Sequence, residues 1–364
     1  MKTAGRADRD LGALRFRRND TAPMSLSLSV LDLVPITSGG TASEALRRTV
    51  DLAQLADRLG YARVWYAEHH GMPSIASSAP EIIIGHVASQ TERIRVGSGG
   101  VMLPNHAPLL VAERFHTLAA LFPDRIDLGL GRAPGTDPTH IRALRSFDAE
   151  QFPHQLAELV TLSRGGFPAD HPFAGVRVTP VGVDLPPIWL LGSSGASAQF
   201  AGSNGLGYAF ASHFSPTPAE PAFRAYRDAF EPSAAFPVPH AILAATVVCA
   251  ETDAEARRLA STMELAWARI RTGRFEPLPS PEEALAGMQV PDGFRVEKGP
   301  PPLTVPDRIS TPVPTKLLPT PLSSIVLVST WSMISPRAVT APPANGAVEL
   351  TTSWGCAGSA VLTT

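Results

Sequence analysis

Residues 61–71 read YARVWYAEHHG. A run of aromatic and β-branched residues, which reads as a strand, stops at Glu68, His69 and His70. Imidazoles titrate near neutral pH, so this triplet suits proton transfer, with His69 and His70 as the candidate catalytic residues. A metal site fits poorly. Adjacent residues of a strand face opposite sides, whereas two ligands from one strand would stand at i and i+2. One imidazole facing a site as an acid–base group is the better reading.

Three more strand ends carry chemistry. In GSGGVMLPNHAP, Gly97, Gly99 and Gly100 leave the backbone bare, so a flat ligand could approach it closely. In LGLGRAPG, Arg132 ends a strand and suits a phosphate or carboxylate. In LLGSSGASAQF, Ser193 and Ser194 lead into a helix whose first amides could cradle a phosphate.

The elements that must position these residues alternate. SLSLSVLDLVP reads as a strand. TASEALRRTVDLAQLADRLGY reads as a helix, with Thr41 and Glu44 in a capping-box pattern and Gly60 as its stop. Further strands are expected at ARVWYAE, RIRVGSGGVML, RIDLGLGR, PPIWLLG, LGYAFAS and HAILAATVVCA, each followed by a helical pattern. The fourth of these helices should start near Pro153. The last should be capped by a Thr252/Glu255 box.

Strands alternating with helices imply a parallel sheet. Both an open doubly wound sheet and an α/β (β/α)8 TIM-type barrel fit. An unbroken pattern over about 250 residues favours the barrel, where chemistry gathers at the carboxyl ends of the strands.

Bulk properties narrow the class. The chain has 364 residues and a net charge of −2, with no basic patch that would suit nucleic acid. No apolar run reaches the roughly 18 residues of a membrane span. Two distant cysteines, Cys249 and Cys356, form no disulfide framework and no metal-site spacing, which suits a cytoplasmic protein.

The ends differ from the middle. Residues 1–23 are Arg-rich and unpatterned and are expected to be a disordered extension, or to precede a true start at Met24. Residues 24–295 form the barrel unit. Residues 296–364 are rich in Pro, Thr and Ser, as a shift of reading frame near residue 295 would produce. In them only 323–331, SSIVLVSTW, reads as a strand, and no closing helix follows. The barrel is therefore expected to be incompletely closed at its C-terminus.

In combination, VWYAEHHG, RIRVGSGGVMLPNHAPLLVAERFHTLAALFPDRIDLGLGRAPGTDP and PPIWLLGSSGASAQFAGSNGLGYAFASHF resemble the luciferase-like monooxygenases, flavin-dependent barrel enzymes. The resemblance covers about residues 25–290. It implies that His69, with His70 beside it, lies at the reactive face of a flavin. It implies a non-proline cis peptide at Gly99–Gly100 beneath the ring. It also implies phosphate contacts from Arg132, Ser193, Ser194 and Ser197, with Arg142 or Arg145 as a second phosphate arginine. The implied reaction uses reduced FMN, supplied by a separate flavin reductase, and O2 to oxygenate a small organic substrate. A homodimer is a further expectation. The rival readings are a deazaflavin-dependent hydride transfer and a non-catalytic flavin-binding homologue, the latter on account of the tail.

Overall fold

The computed structural model describes residues 27–288 except 146, 216, 249 and 251, and the backbone of Ser324–Ser329. The expectations for 1–23, for Cys249 and Cys356, and for most of 296–364 lie outside the described residues.

The first helix shows how local sequence sets each boundary. The Thr41 side chain accepts from the Glu44 amide, and Glu44 reaches back to the Thr41 amide, so the anticipated capping box is complete. Helix α1 then runs Ala42–Arg58 and stops before Gly60, whose φ of +76° only glycine adopts without strain. Thr252 likewise caps the amide of Glu255. The Glu255 carboxylate, however, turns outward to Arg258 at 2.8 Å, so that box is only half made.

Strand β1 (Ser27–Asp32) is followed around the sheet by β2 (Arg63–Tyr66) and β3 (Arg95–Ser98). The third expected strand is broken at Gly99–Gly100 and resumes as β4 (Val101–Met102). Then come β5 (Ile126–Gly131), β6 (Ile188–Gly192), β7 (Gly207–Ala211) and β8 (Ala241–Thr246). Helices α2 (Pro80–Ser89), α3 (Pro108–Leu121), α5 (Phe152–Ser163), α6 (Gly195–Ser203), α7 (Glu220–Asp228) and α8 (Asp253–Arg271) fill the connections. Two short helices add to the alternating pattern: α4 (Pro138–Leu144), capped by Asp137, and α9 (Pro281–Gly287), capped by Ser280.

Every pairing within the sheet is parallel, and β3 pairs with β5, so the sheet curls into a barrel of seven staves. One seam remains, between β1 and β8. The backbone of β9 (Ser324–Ser329) lies in it, parallel to both neighbours. Among the described residues no helix follows β9 to cover it.

Side-chain alternation sorts the staves into two layers. Val30, Val64, Tyr66, Val96, Leu128, Leu130 and Tyr208 face the helices in one large core. Leu31, Trp65, Ala67, Trp189, Ala209, Ile242 and Ala244 fill the barrel. Burying an aliphatic or aromatic side chain of this kind contributes about 1.5–3 kcal/mol.

The amino-terminal end of the barrel is plugged by charge. Asp127 takes two bonds from Arg95, at 2.7 and 2.9 Å, and one from the Trp65 indole at 3.1 Å. It also pairs with Arg63 at 3.5 Å. The Arg63 guanidinium lies over the Trp189 ring at 4.6 Å. With the floor closed, the interior is reached from the carboxyl ends of the staves. None of the described helices is long and apolar enough to cross a membrane.

Candidate active site

The EHH segment sits at the carboxyl end of β2, and the strand period divides it. Trp65 and Ala67 face the barrel interior, so His69 continues inward while Glu68 and His70 face away. Glu68 is 1% exposed, and four donors hold it. They are the Met102 amide at 2.8 Å, Asn105 Nδ2 at 3.0 Å, His70 Nε2 at 2.8 Å and His106 Nε2 at 2.9 Å. Burial alone would push its carboxyl up. The bonds and charge from His106, with those from Asn105 and His70, overcome it and hold Glu68 below the ordinary range.

His70 is thus engaged with Glu68 and does not reach the interior. Its amide donates to the Gly135 carbonyl at 3.1 Å, and its carbonyl accepts from Thr136 Oγ1 at 2.7 Å. A side chain at Gly135 would strike the Glu68 carbonyl at 2.7 Å, and φ there is +67°. Only glycine lets the turn after β5 lie against this segment.

His69 is held by its backbone, whose amide donates to the Ser77 carbonyl at 3.0 Å. Its Nδ1 is buried and has no hydrogen-bond partner among the described residues. Burial pushes the imidazole down to about 4, against the pull of Glu68 and with a small push from His70. It is therefore neutral at pH 7.

Beside it, the Glu68 amide donates to the Gly100 carbonyl at 3.1 Å. The Gly99–Gly100 peptide is cis. A Cβ on Gly99 would meet Leu31 Cδ1 at 2.8 Å and Trp65 Cβ at 2.9 Å, and one on Gly100 would meet the Gly129 carbonyl at 2.8 Å. Both positions accept only glycine, because the Leu31, Trp65 and Leu191 side chains and the Gly129 carbonyl pack where a Cβ would stand.

The remaining candidates come from adjacent staves. Arg132 follows β5 and is exposed. β5 pairs with β6, and Ser193 and Ser194 follow β6. Ser194 caps α6, accepting from the Ser197 amide at 3.3 Å. Ser197 Oγ donates to the Ser194 carbonyl at 2.8 Å and lies 3.2 Å from the Tyr208 hydroxyl. These contacts shape a hydroxyl-rich helix start on the strand next to the one that Arg132 follows, and residues of these types suit a phosphate. Arg142 bonds Thr139 at 3.4 Å, and Arg145 ends α4 in a left-handed conformation; both are exposed.

Residues 26–293 match the family model described as luciferase-like monooxygenase. The chain belongs to that family. A luciferase-like monooxygenase of Escherichia coli strain K12 is 46% identical over 260 residues, 71% of this chain and 76% of that protein. The crystal structure of apo-MsnO8 is similar at a TM-score of 0.68 and 42% identity, over 76% of this chain and 81% of that one. The oxygenating constituent of 3,6-diketocamphane monooxygenase from Pseudomonas putida, a type II Baeyer–Villiger monooxygenase solved in complex with FMN, gives a TM-score of 0.54 at 21% identity. It covers 68% of this chain and 74% of its own, and at that identity the likeness is one of fold.

In this luciferase-like chain the residues present fit a flat ring with a phosphate tail. The Gly99–Gly100 strand end, His69 with its Nδ1 unpartnered among the described residues, and the ends carrying Arg132 and the serines lie in one arc of adjacent strands. Sequence reading passed over Asn105 and His106, which complete the Glu68 web, and His213, a histidine just beyond β7. The signal for His213 was the one that marked His69: an imidazole directly after a strand of an α/β repeat.

Proposed function

We propose that this chain is a flavin-dependent monooxygenase, one that uses reduced FMN and O2 to oxygenate a small organic substrate. The observation that carries the reading is the pairing of two features on neighbouring staves. A neutral, half-buried imidazole at His69, whose buried Nδ1 has no hydrogen-bond partner among the described residues, stands beside a strand end at Gly99–Gly100 that only glycine can occupy. Membership of a monooxygenase family and the FMN complex of a protein with the same fold support it.

When bound, reduced FMN supplies the electrons that activate O2. The chain does the rest. Gly99 and Gly100 allow the ring to lie against the backbone. Arg132 with Ser193, Ser194 and Ser197 holds the phosphate. His69 accepts or returns a proton at Nδ1. Leu31, Trp65 and Leu191 keep the interior side apolar and exclude water. A separate flavin reductase supplies the reduced cofactor, and the setting proposed is the cytoplasm.

The test is a titration of the full chain with oxidised and with reduced FMN, followed by turnover under labelled O2 with candidate thioethers, ketones and aldehydes. Tighter binding of reduced FMN and one labelled oxygen in the product are expected. Binding of a deazaflavin with no oxygen uptake would replace this reading with hydride transfer. Binding of FMN without oxygen uptake or product would make the chain a non-catalytic flavin-binding homologue, and absence of binding to either flavin would overturn the reading altogether.

A further inference from the structure

Strand β1 runs into a strained turn. Val34 has a φ of +52°, in the left-handed region that a β-branched residue enters only at a cost. Such a conformation persists where its surroundings hold it, and it marks a place to read for function. Three contacts hold this one. The Asp32 carboxylate accepts from the Val34 amide at 2.8 Å. The Val34 carbonyl accepts from the Ala76 amide at 2.9 Å. The Val34 side chain is fully buried in the outer core. Between Asp32 and Val34, Leu33 packs against the interior cluster.

The bond to Ala76 leads to the site. Ala76 precedes Ser77, whose carbonyl accepts from the His69 amide at 3.0 Å and whose hydroxyl donates to the Ala67 carbonyl at 2.5 Å. Nearby, the Ile36 amide donates to the Ser74 carbonyl at 2.8 Å. Residues 74–77 are thus clamped between the β1 turn and the end of the β2 segment. Asp32 stands at the far end of this run of bonds. It is 2% exposed, lies beside its register partner Tyr66 on the helix side of the sheet, and takes the Thr49 hydroxyl of α1 on Oδ2. Burial pushes its carboxyl up to about 6, against the bonds from Thr49 and Val34. Tyr66 is the ionisable neighbour; burial first and the Asp32 charge second push its phenol up.

We propose that Asp32 is a positioning residue for His69: through the left-handed turn at Val34 and the 74–77 segment it fixes the place of the His69 backbone at the carboxyl end of β2. A buried carboxyl is costly, but its two oxygens can take the Val34 amide and the Thr49 hydroxyl at once, which ties the turn to α1 as well as to the 74–77 segment. The imidazole then leaves a backbone that is held from below by β2 and from the side by β1. This inference rests on the role given to His69 above.

The link is read first without cofactor. Backbone amides of the full chain are followed by ¹⁵N NMR from pH 5 to 8 in the wild type and in Asp32→Asn, which keeps an acceptor for the Val34 amide but cannot titrate. The Val34, Ala76 and His69 amides should share one step near the Asp32 value of about 6, and that step should vanish from all three in Asp32→Asn. A His69 amide with no Asp32-dependent step overturns the link. In Asp32→Ala, hydrogen exchange at Ala76 and His69 should quicken by about tenfold or more while Leu190 in β6 keeps its protection. An equal gain at Leu190 would make Asp32 a general core residue and overturn the positioning role. Should Asp32→Ala not fold, the Asp32→Asn titration still decides. A second arm reads turnover with reduced FMN. Asp32→Ala should lower kcat with FMN affinity kept, and Asp32→Asn should restore most of the rate. A kcat unmoved in Asp32→Ala overturns the role. A chain whose amides share the step but which never binds flavin refutes the proposed function and leaves the clamp established.

Discussion

The Glu68 carboxylate accepts from the Met102 amide at 2.8 Å, tying the end of β2 to the strand that resumes after Gly99–Gly100. The same side chain holds Asn105, His70 and His106, so one buried charge fixes both walls that flank His69.

Glu68→Ala should therefore destabilise the chain by about 2–4 kcal/mol, because buried donors lose a charged acceptor. The hydrogen bonds hold the folded-state carboxyl below its ordinary range. Its contribution is thus present above the unfolded value near 4.3 and is lost as pH falls through the folded value. Urea unfolding at pH 7 and pH 3 should show the gap between wild type and variant shrinking at acid pH. A gap of the same size at both would remove Glu68 from this role.

The barrel floor makes a separate prediction. Asp127 is the shared acceptor of Arg63, Arg95 and Trp65. Asp127→Ala leaves two guanidiniums without a counter-charge, one of them deeply buried, and should cost about 3–5 kcal/mol. The exposed Asp170→Ala serves as control in thermal unfolding. Similar melting temperatures for the two variants would show that the floor is not held by this cluster.

His69→Ala should leave FMN affinity nearly unchanged and slow turnover by ~10²-fold or more, the usual size of an acid–base contribution. With the imidazole pushed down to about 4, wild-type turnover should need no titration of His69 between pH 6 and 8. A variant as fast as the wild type would end the catalytic assignment.

Arg132→Ala should weaken FMN more than riboflavin, since only FMN carries the phosphate. A lost charge-assisted bond is worth about 1.5–3 kcal/mol, or roughly 10–150-fold in Kd. Equal weakening of both ligands, measured by flavin fluorescence, would place the phosphate elsewhere.

Much of the architecture was legible because it is local. Helix α1 starts at Thr41 and stops before Gly60 for reasons contained in those residues and their near neighbours. The staves follow from apolar runs between turns, and the barrel from their regular alternation with helices. His69, Gly99 and Gly100 could be picked out because residue type and place at a strand end suffice. Helices α4 and α9 were missed although both carry local starts, Asp137 before Pro138 and a Ser280/Glu283 capping box, because at 7 residues each they are too short to show a helical period.

What the fold alone decided are the partnerships across chain distance. Nothing near residue 68 says that Glu68 meets Met102, Asn105 and His106, 34–38 residues away, or that its bond to His70 draws that histidine out of the site. The same holds for β9, whose place between β1 and β8 depends on a seam that the other strands leave open. Local propensity chooses helix or strand, whereas long-range register and barrel closure choose which side chains share a space.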